Sequence, residues 1–293
     1  MPTVVKGDQE FPFSEGIMAQ SISQAGVPVS DAYEVVRQIR KELKDRGKSR
    51  VESETLRQIV SGKMLTQGWE DEERMYRVQR HIKYLSEPVF ILIGGTTGVG
   101  KSTISAEVGH RLGINRVIGS DTIREIMRSI ISDNLMPVLH SSTFEAAEVM
   151  PLHDGDSQLI TGFKEQARVL NEGIAGVINR GAKEGLHMVL NGVHIVPGFL
   201  ERRIQEFPGH LFRFILSVPE EKQHEMFFYE REKASRRPAQ RYVGSLEKIR
   251  HMQNYILRMA AKHDVTVIEN VEFEETLKRI LREVISGFTE RID

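Results

Sequence analysis

The chain has 293 residues, 40% hydrophobic and 28% charged, with a formal net charge of −1 and no cysteine. That length gives one large domain or two smaller ones with a sizeable core. The charge balance offers no basic field for nucleic acid or membrane, and the missing cysteines exclude disulfides, thiol catalysis and cysteine-held metal. No apolar run reaches the length of a membrane span, and Met1 to Pro12 lacks the basic and apolar stretches of a signal peptide, so a cytoplasmic protein with no membrane partner is expected.

The first 67 residues read as a small, mainly helical domain. Thr3–Lys6 and Glu10–Phe13 flank Gly7-Asp8-Gln9 as a hairpin. Ser14 is placed to cap a helix with Ile17, Met18, Ile22 and Ala25 on one face. Ser30 is placed to cap a second helix carrying Val36, Ile39 and Leu43, which Gly47 ends. Leu56, Ile59, Val60 and Met64 mark a third. Residues 68–87 predict a connecting helix, charged from Trp69 to Leu85 and stopped by Pro88.

From 88 to 293 the pattern alternates. Strands are predicted at Val89–Ile93, Arg116–Gly119, His187–Asn191, Leu211–Ser217 and Thr266–Ile268. Helices are predicted at Ser102–Leu112, Thr122–Ser132, Asp156–Lys183, Leu200–Glu206, Glu220–Lys233, Leu246–His263 and Glu274–Ile285. Short apolar strands between helices indicate an α/β protein with a parallel sheet covered on both faces.

The residues after the first of these strands, Gly95-Thr96-Thr97-Gly98-Val99-Gly100-Lys101-Ser102, match G-x-x-x-x-G-K-[S/T] in full. Strand before and helix after supply the context of a phosphate-binding P-loop. Glycines let backbone N–H groups turn inward, and the helix N-terminus adds positive partial charge. Nucleotide binding is expected from Gly95 through Ser102 and the following Thr103. Lys101 is expected to reach the β- and γ-phosphates, and Ser102 to ligate Mg²⁺ carried with ATP.

The second strand ends at Gly119-Ser120-Asp121, where an open α/β sheet faces its ligand. Asp121 reads either as the group that orients or deprotonates a substrate hydroxyl or as the cap of the helix beginning at Thr122. Arg124, on the same helix face, reads as a binder of a substrate phosphate or carboxylate. The third strand ends in Asn191, where a metal-binding carboxylate would be expected; an amide there brings no charge. His194 follows in a loop pinned by Gly192, Pro197 and Gly198, and reads either as structural or as ligand-touching. Arg231 to Arg241 is a basic stretch that suits a mobile lid, with Arg236 and Arg237 as the transition-state residues.

Together these residues resemble archaeal 2-phosphoglycerate kinase over nearly all of 89–293. The marks are Ile93–Ser102, Ile118–Glu125, Gly162-Phe163-Lys164-Glu165-Gln166, Gly192–Gly198 and Ser235-Arg236-Arg237. The resemblance implies a three-layer P-loop kinase of the adenylate-kinase-like type behind an ATP-cone-like nucleotide-sensing domain at residues 1–67. It implies transfer of the ATP γ-phosphoryl group to 2-phosphoglycerate, with Asp121, Arg124, Gln166 and His194 at a small anionic substrate. Cone domains often mediate association, which leaves both a homo-oligomer and a monomer open. Two departures stand against the family pattern: Asn191 where glutamate is usual, and a Lys6–Gln9 turn poor in basic residues. Other small hydroxyl acceptors remain open, whether sugar, polyol or nucleic-acid end, although 7% aromatics and near-neutral charge do not favour the last. A nucleotide-responsive regulatory protein with little turnover is a further alternative.

Overall fold

The computed structural model describes residues 2–149, 158–200, 204, 209–234, 236 and 238–289. Its contacts divide into two compact units. The first comprises residues to Leu85, His110–Gly113 and those from Ile285; the second comprises Ser86–Gly109 and Ile114–Val284.

In the first unit, β1 (Thr3–Lys6) pairs antiparallel with β2 (Gln9–Pro12) through a turn at Gly7, whose φ of 58° suits glycine. A third strand, β3 (Arg50–Glu52), adds parallel to β1. The sequence does not signal β3, because three residues with only Val51 buried carry no readable alternation. Helices α1 (Glu15–Gln24), α2 (Val29–Asp45), α3 (Ser53–Thr66) and α4 (Glu70–Tyr84) complete the unit. Ser14 caps α1 by accepting from the Ile17 amide at 3.3 Å. Ser30 does not cap α2: Pro28 is at the cap, and its fixed φ starts the helix at Val29. Ile17, expected inward, is 70% exposed, while Met18, Ile22 and Ala25 are buried. The helix expected as a connector, α4, groups with the first unit; Met75, Tyr76, Val78 and Ile82 are buried.

In the second unit, β4 (Val89–Gly94), β5 (Val117–Gly119), β6 (Met188–Gly192), β7 (His210–Ser217) and β8 (Thr266–Glu269) form one parallel sheet in the order β5-β6-β4-β7-β8. Every residue of β4 and β6 is buried, as a sheet covered on both faces requires. The helices in chain order are α5 (Lys101–Leu112), α6 (Ser120–Ile130), the short α7 (Pro137–His140), α8 (Gln158–Lys183), α9 (Glu221–Ala234), α10 (Ala239–Val243), α11 (Leu246–Lys262) and α12 (Phe273–Thr289). A single 3₁₀ turn spans Ala146–Val149. On one face, Phe90, Leu92, Met188 and Leu190 pack under α6 and α8 through Ile123, Ile174 and Ile178. On the other, Gly109 of α5 lies against Val189. The expected helix 200–206 lies mostly outside the described residues.

The chain runs from β4 to one side of the sheet, then returns past β4 to β7. Strand order therefore reverses beside β4, and the crevice at the carboxyl ends of the strands is the natural ligand site.

Candidate active site

A cleft of about 720 Å³ opens over those strand ends. One wall is the P-loop and the start of α5: Thr97, Gly98, Gly100, Lys101, Ser102 and Thr103. Facing it are Gly119 at the end of β5, Ser120, Asp121 and Thr122 at the start of α6, and Asn191 within β6. Arg231 of α9 and Asn270 after β8 also line it. Gly95, Thr96 and Val99 of the expected nucleotide set lie behind the loop and are buried.

The P-loop is built on glycines that a side chain would disrupt. Gly95, Gly98 and Gly100 have φ of 138°, 88° and 81°, in the region L residues avoid. A Cβ at Gly98 would lie 2.4 Å from the Phe228 ring, and one at Gly100 would lie 2.4 Å from Asn270 Nδ2. Lys101 Nζ donates to the Thr96 carbonyl at 2.5 Å. Burial lowers its pKa to about 8; Asp121 opposes the shift and Arg231 adds to it. Lys101, Asp121 and Arg231 thus share one electrostatic environment, which is what a site for a transferring phosphoryl group needs.

Asp121 is not a helix cap. Helix α6 begins at Ser120 with Gly119 in the cap position, so Asp121 is in the first turn, exposed to the cleft. There the carboxylate is favoured by the helix dipole. Asn191, next to last in β6, pairs between Ile93 and Gly119 and presents a neutral amide.

Three residues expected to touch substrate are elsewhere. Arg124 does not line the cleft: its Nε donates to the Leu139 carbonyl at 2.9 Å and its Nη2 to the Ser141 carbonyl, so its fork holds the end of α7 and the residue after it. Gln166 and His194 have no exposed surface. Gln166 Nε2 donates to the carbonyls of Val138 and Ser141. Carbonyls only accept, so this fixes the amide orientation and leaves Gln166 Oε1 as an acceptor. It lies 2.9 Å from His194 Nε2, which must therefore carry the ring proton. His194 Nδ1 is then an acceptor, 3.0 Å from Ser120 Oγ, and the serine hydroxyl donates to it. Asn171 closes the arrangement by donating to the His194 carbonyl at 2.9 Å. Burial first, with Arg124 and Lys101 adding and Asp121 opposing, lowers the His194 pKa to about 3. This histidine is a neutral strut between α8 and the residue preceding Asp121.

Of the expected lid arginines, Arg236 is exposed and does not line the cleft, and Arg237 lies outside the described residues. Arg231, near the end of α9 and five residues before Arg236, does line it. Helix α9 lays His224, Phe228 and Arg231 along one face at spacings of four and three. His224 Nε2 donates to the Thr97 carbonyl at 2.8 Å. The His224 and Phe228 rings stack at 5.2 Å, Phe228 stacks on Tyr242 at 5.4 Å, and the Arg231 guanidinium lies 4.1 Å from the Tyr242 ring centre. Sequence reasoning missed His224, Phe228 and Asn270. The i, i+4, i+7 face of α9 and the position of Asn270 just past a strand end were the available signals. Asn270 Nδ2 donates to the Val99 carbonyl at 3.1 Å, holding the P-loop from the β8 side.

A parallel sheet in this order, a P-loop after its central strand, and a carboxylate just past the end of the edge strand β5 define a P-loop kinase. No family model matches the chain. Individual relatives do. The 2-phosphoglycerate kinase of Pyrococcus horikoshii is 38% identical over 284 residues, 96% of this chain and 93% of its own. That of Thermococcus kodakarensis is 39% identical over 280 residues, covering 96% and 95%, and that of Methanopyrus kandleri 39% over 279 residues, covering 94% and 85%. The chain belongs to the 2-phosphoglycerate kinase family. Among solved structures, a shikimate kinase from Acinetobacter baumannii is 15% identical with a TM-score of 0.43, covering 71% of this chain and 98% of its own; at that distance it bears on no residue. No helix among the described residues is long and apolar enough to cross a membrane.

Proposed function

We propose that this protein transfers the γ-phosphoryl group of ATP to the free hydroxyl of 2-phosphoglycerate, giving 2,3-bisphosphoglycerate and ADP. The observation that carries the reading is one cleft with Lys101 and Ser102 on one wall and the Asp121 carboxylate on the facing one, in a chain that belongs to this family. The P-loop amides and Lys101 bind the β- and γ-phosphates. Asn270, Val271 and Phe273, which line the cleft, suit the nucleoside end.

Asp121 orients the acceptor hydroxyl and takes its proton as the oxygen bonds to the γ-phosphorus. The bond from that phosphorus to the bridging oxygen breaks, and ADP leaves with the electron pair. Arg231, reaching the cleft from α9, offsets charge on the transferring oxygens, and the exposed Arg236 stands ready to join it. His194, Gln166 and Arg124 act on this chemistry by holding Ser120 and the 139–141 segment, not by touching substrate.

The donor set fits a divalent cation carried by the nucleotide. Among the described residues no cluster of three His, Cys, Asp or Glu could hold one alone, whereas Ser102 is exposed in the cleft at the P-loop position for that role. Mg²⁺, when bound there through Ser102 and the phosphates, supplies charge neutralisation that the neutral Asn191 does not.

The test is ADP release with ATP and Mg²⁺ against 2-phosphoglycerate, 3-phosphoglycerate, glycerate, a short oligonucleotide and no acceptor, with the product read by phosphorus NMR. The reading expects turnover with 2-phosphoglycerate and two phosphomonoester signals in the product. Turnover with another acceptor alone, or with none, overturns it.

A further inference from the structure

Tyr242 of α10 does not line the cleft, yet Arg231, which does, lies over its ring. The Arg231 guanidinium is 4.1 Å from the Tyr242 ring centre and 5.6 Å from that of Phe228. A ring attracts a cation through its quadrupole, and the attraction weakens quickly with distance, so Tyr242 is the stronger partner.

The tyrosine ring is itself held. Phe228 stacks with it at 5.4 Å and 19°, and Phe144 meets it edge-on at 6.0 Å and 71°. The backbone beneath it is fastened on two sides. The Ala239 amide at the start of α10 donates to Glu232 Oε1 of α9 at 3.0 Å. Arg241 Nη2 donates to Ser142 Oγ at 2.5 Å and to Glu145 Oε2 at 2.9 Å. The segment that Arg241 grips follows Ser141, whose carbonyl Arg124 and Gln166 hold. Short helix α10 is thus tied to α9 and to the chain after α7, and Tyr242 is a fixed platform.

A platform of this kind suits an arginine that meets a transferring phosphoryl group. The arginine side chain is long, and ordering it costs rotamer entropy. If the order is already present, none of that cost falls on the transition state. A contact with a ring face takes none of the guanidinium N–H donors, which lie in the plane of the fork. A carboxylate partner does take them, as Glu145 takes Nη2 of Arg241.

We propose that Tyr242 is the positioning residue for Arg231: its ring fixes the guanidinium at the cleft ahead of phosphoryl transfer. The assignment rests on the reading of Arg231 as the group that offsets charge on the transferring oxygens.

The experiment is single-turnover transfer from ATP to 2-phosphoglycerate by the full-length chain, with ADP affinity measured by calorimetry. The variants are Tyr242→Leu, Tyr242→Phe, Arg231→Ala and the double variant Arg231→Ala with Tyr242→Leu. Thermal melts establish that each folds, and Tyr242→Met replaces Tyr242→Leu if the leucine variant does not. The expected loss in Tyr242→Leu is about five- to thirtyfold in transfer, the size of one desolvated cation–π contact, with ADP affinity unchanged. Tyr242→Phe keeps the ring face and most of the rate. In the Arg231→Ala background, Tyr242→Leu slows transfer by less than about twofold, because the group it positions is gone. A purely structural role, passed through Phe228 and His224 to the Thr97 carbonyl, gives the opposite pattern. ADP binding then weakens and the loss persists without Arg231, which overturns the proposal. Transfer at the wild-type rate in Tyr242→Leu, or equal losses in Tyr242→Phe and Tyr242→Leu, also overturns it while leaving the reading of Arg231 intact. A wild-type chain that transfers nothing, or an Arg231→Ala variant at full rate, overturns that reading and this assignment together.

Discussion

His194→Phe isolates the buried relay. Phenylalanine keeps a flat ring but is larger than the imidazole, so it leaves no cavity and any overpacking at this fully buried site adds to the cost. What disappears is the ring's hydrogen bonding, 3.0 Å to Ser120 and 2.9 Å to Gln166, with a longer contact of 3.5 Å to Thr143. Both partners remain buried, Ser120 at 2% exposure and Gln166 at 0%. Each unpaired group costs about 1–3 kcal/mol. Ser120 borders the cleft and can turn toward it, so the sum falls at about 2–4 kcal/mol. For a domain of this size that is a drop of roughly 5–15 °C in the melting temperature. Turnover should fall by about tenfold to a hundredfold, since Ser120 directly precedes Asp121 and small misplacements are costly, while KM for ATP stays near its wild-type value. Acid denaturation gives a second reading. The His194 pKa is about 3 in the fold against 6.5 ordinarily, so the unfolded chain binds the proton first. This contribution is full above about pH 6.5 and is lost as pH falls toward 3; the phenylalanine variant should lack that component. The assays are thermal melts from pH 4 to 8 and steady-state kinetics at pH 7. A variant as stable and active as wild type, with the same acid-side slope, would refute the relay.

Arg231→Ala should lower turnover by about a hundredfold or more with a smaller effect on ATP binding, and Arg231→Lys should restore only part of it; steady-state kinetics with saturating acceptor decide this. Gly98→Ala places a methyl against Phe228 at a φ of 88°, so ATP affinity measured by calorimetry should fall at least about tenfold, with stability down by about 1–3 kcal/mol. Free Lys101 has a pKa of about 8, and bound phosphates favour its charged form. ATP affinity should therefore weaken above pH 8 by up to about tenfold per unit, with proton uptake on binding visible as a buffer-dependent heat; a flat profile to pH 9.5 contradicts it. Asn191→Asp adds a carboxylate at the end of β6 and should lower the Mg²⁺ concentration needed for half-maximal turnover.

The strands and the P-loop were legible because their signals are local: a run of buried β-formers in β4, and a loop whose glycines carry positive φ. The role of Asp121 became decidable only with α6 in view, because its register placed Gly119, not Asp121, at the cap. Arg124, Gln166 and His194 resemble ligand-touching residues in sequence, yet Arg124 and Gln166 bind main-chain carbonyls 15 and 25 positions away, and Gln166 and His194 bind each other across 28, which periodicity does not encode. Arg231 was visible in the basic stretch, but which arginine faces the cleft depends on the α9 face packed against Gly98. β3 was missed because its one buried residue, Val51, gains its meaning only from pairing with β1.

The account stands most directly on Asp121. Single-turnover phosphoryl transfer by Asp121→Asn, alongside calorimetric ATP binding, separates chemistry from nucleotide affinity. The account predicts transfer slowed by about 10²–10⁴-fold with ATP affinity near that of the unaltered protein. Transfer at the wild-type rate, or parallel losses in transfer and ATP binding, would contradict it.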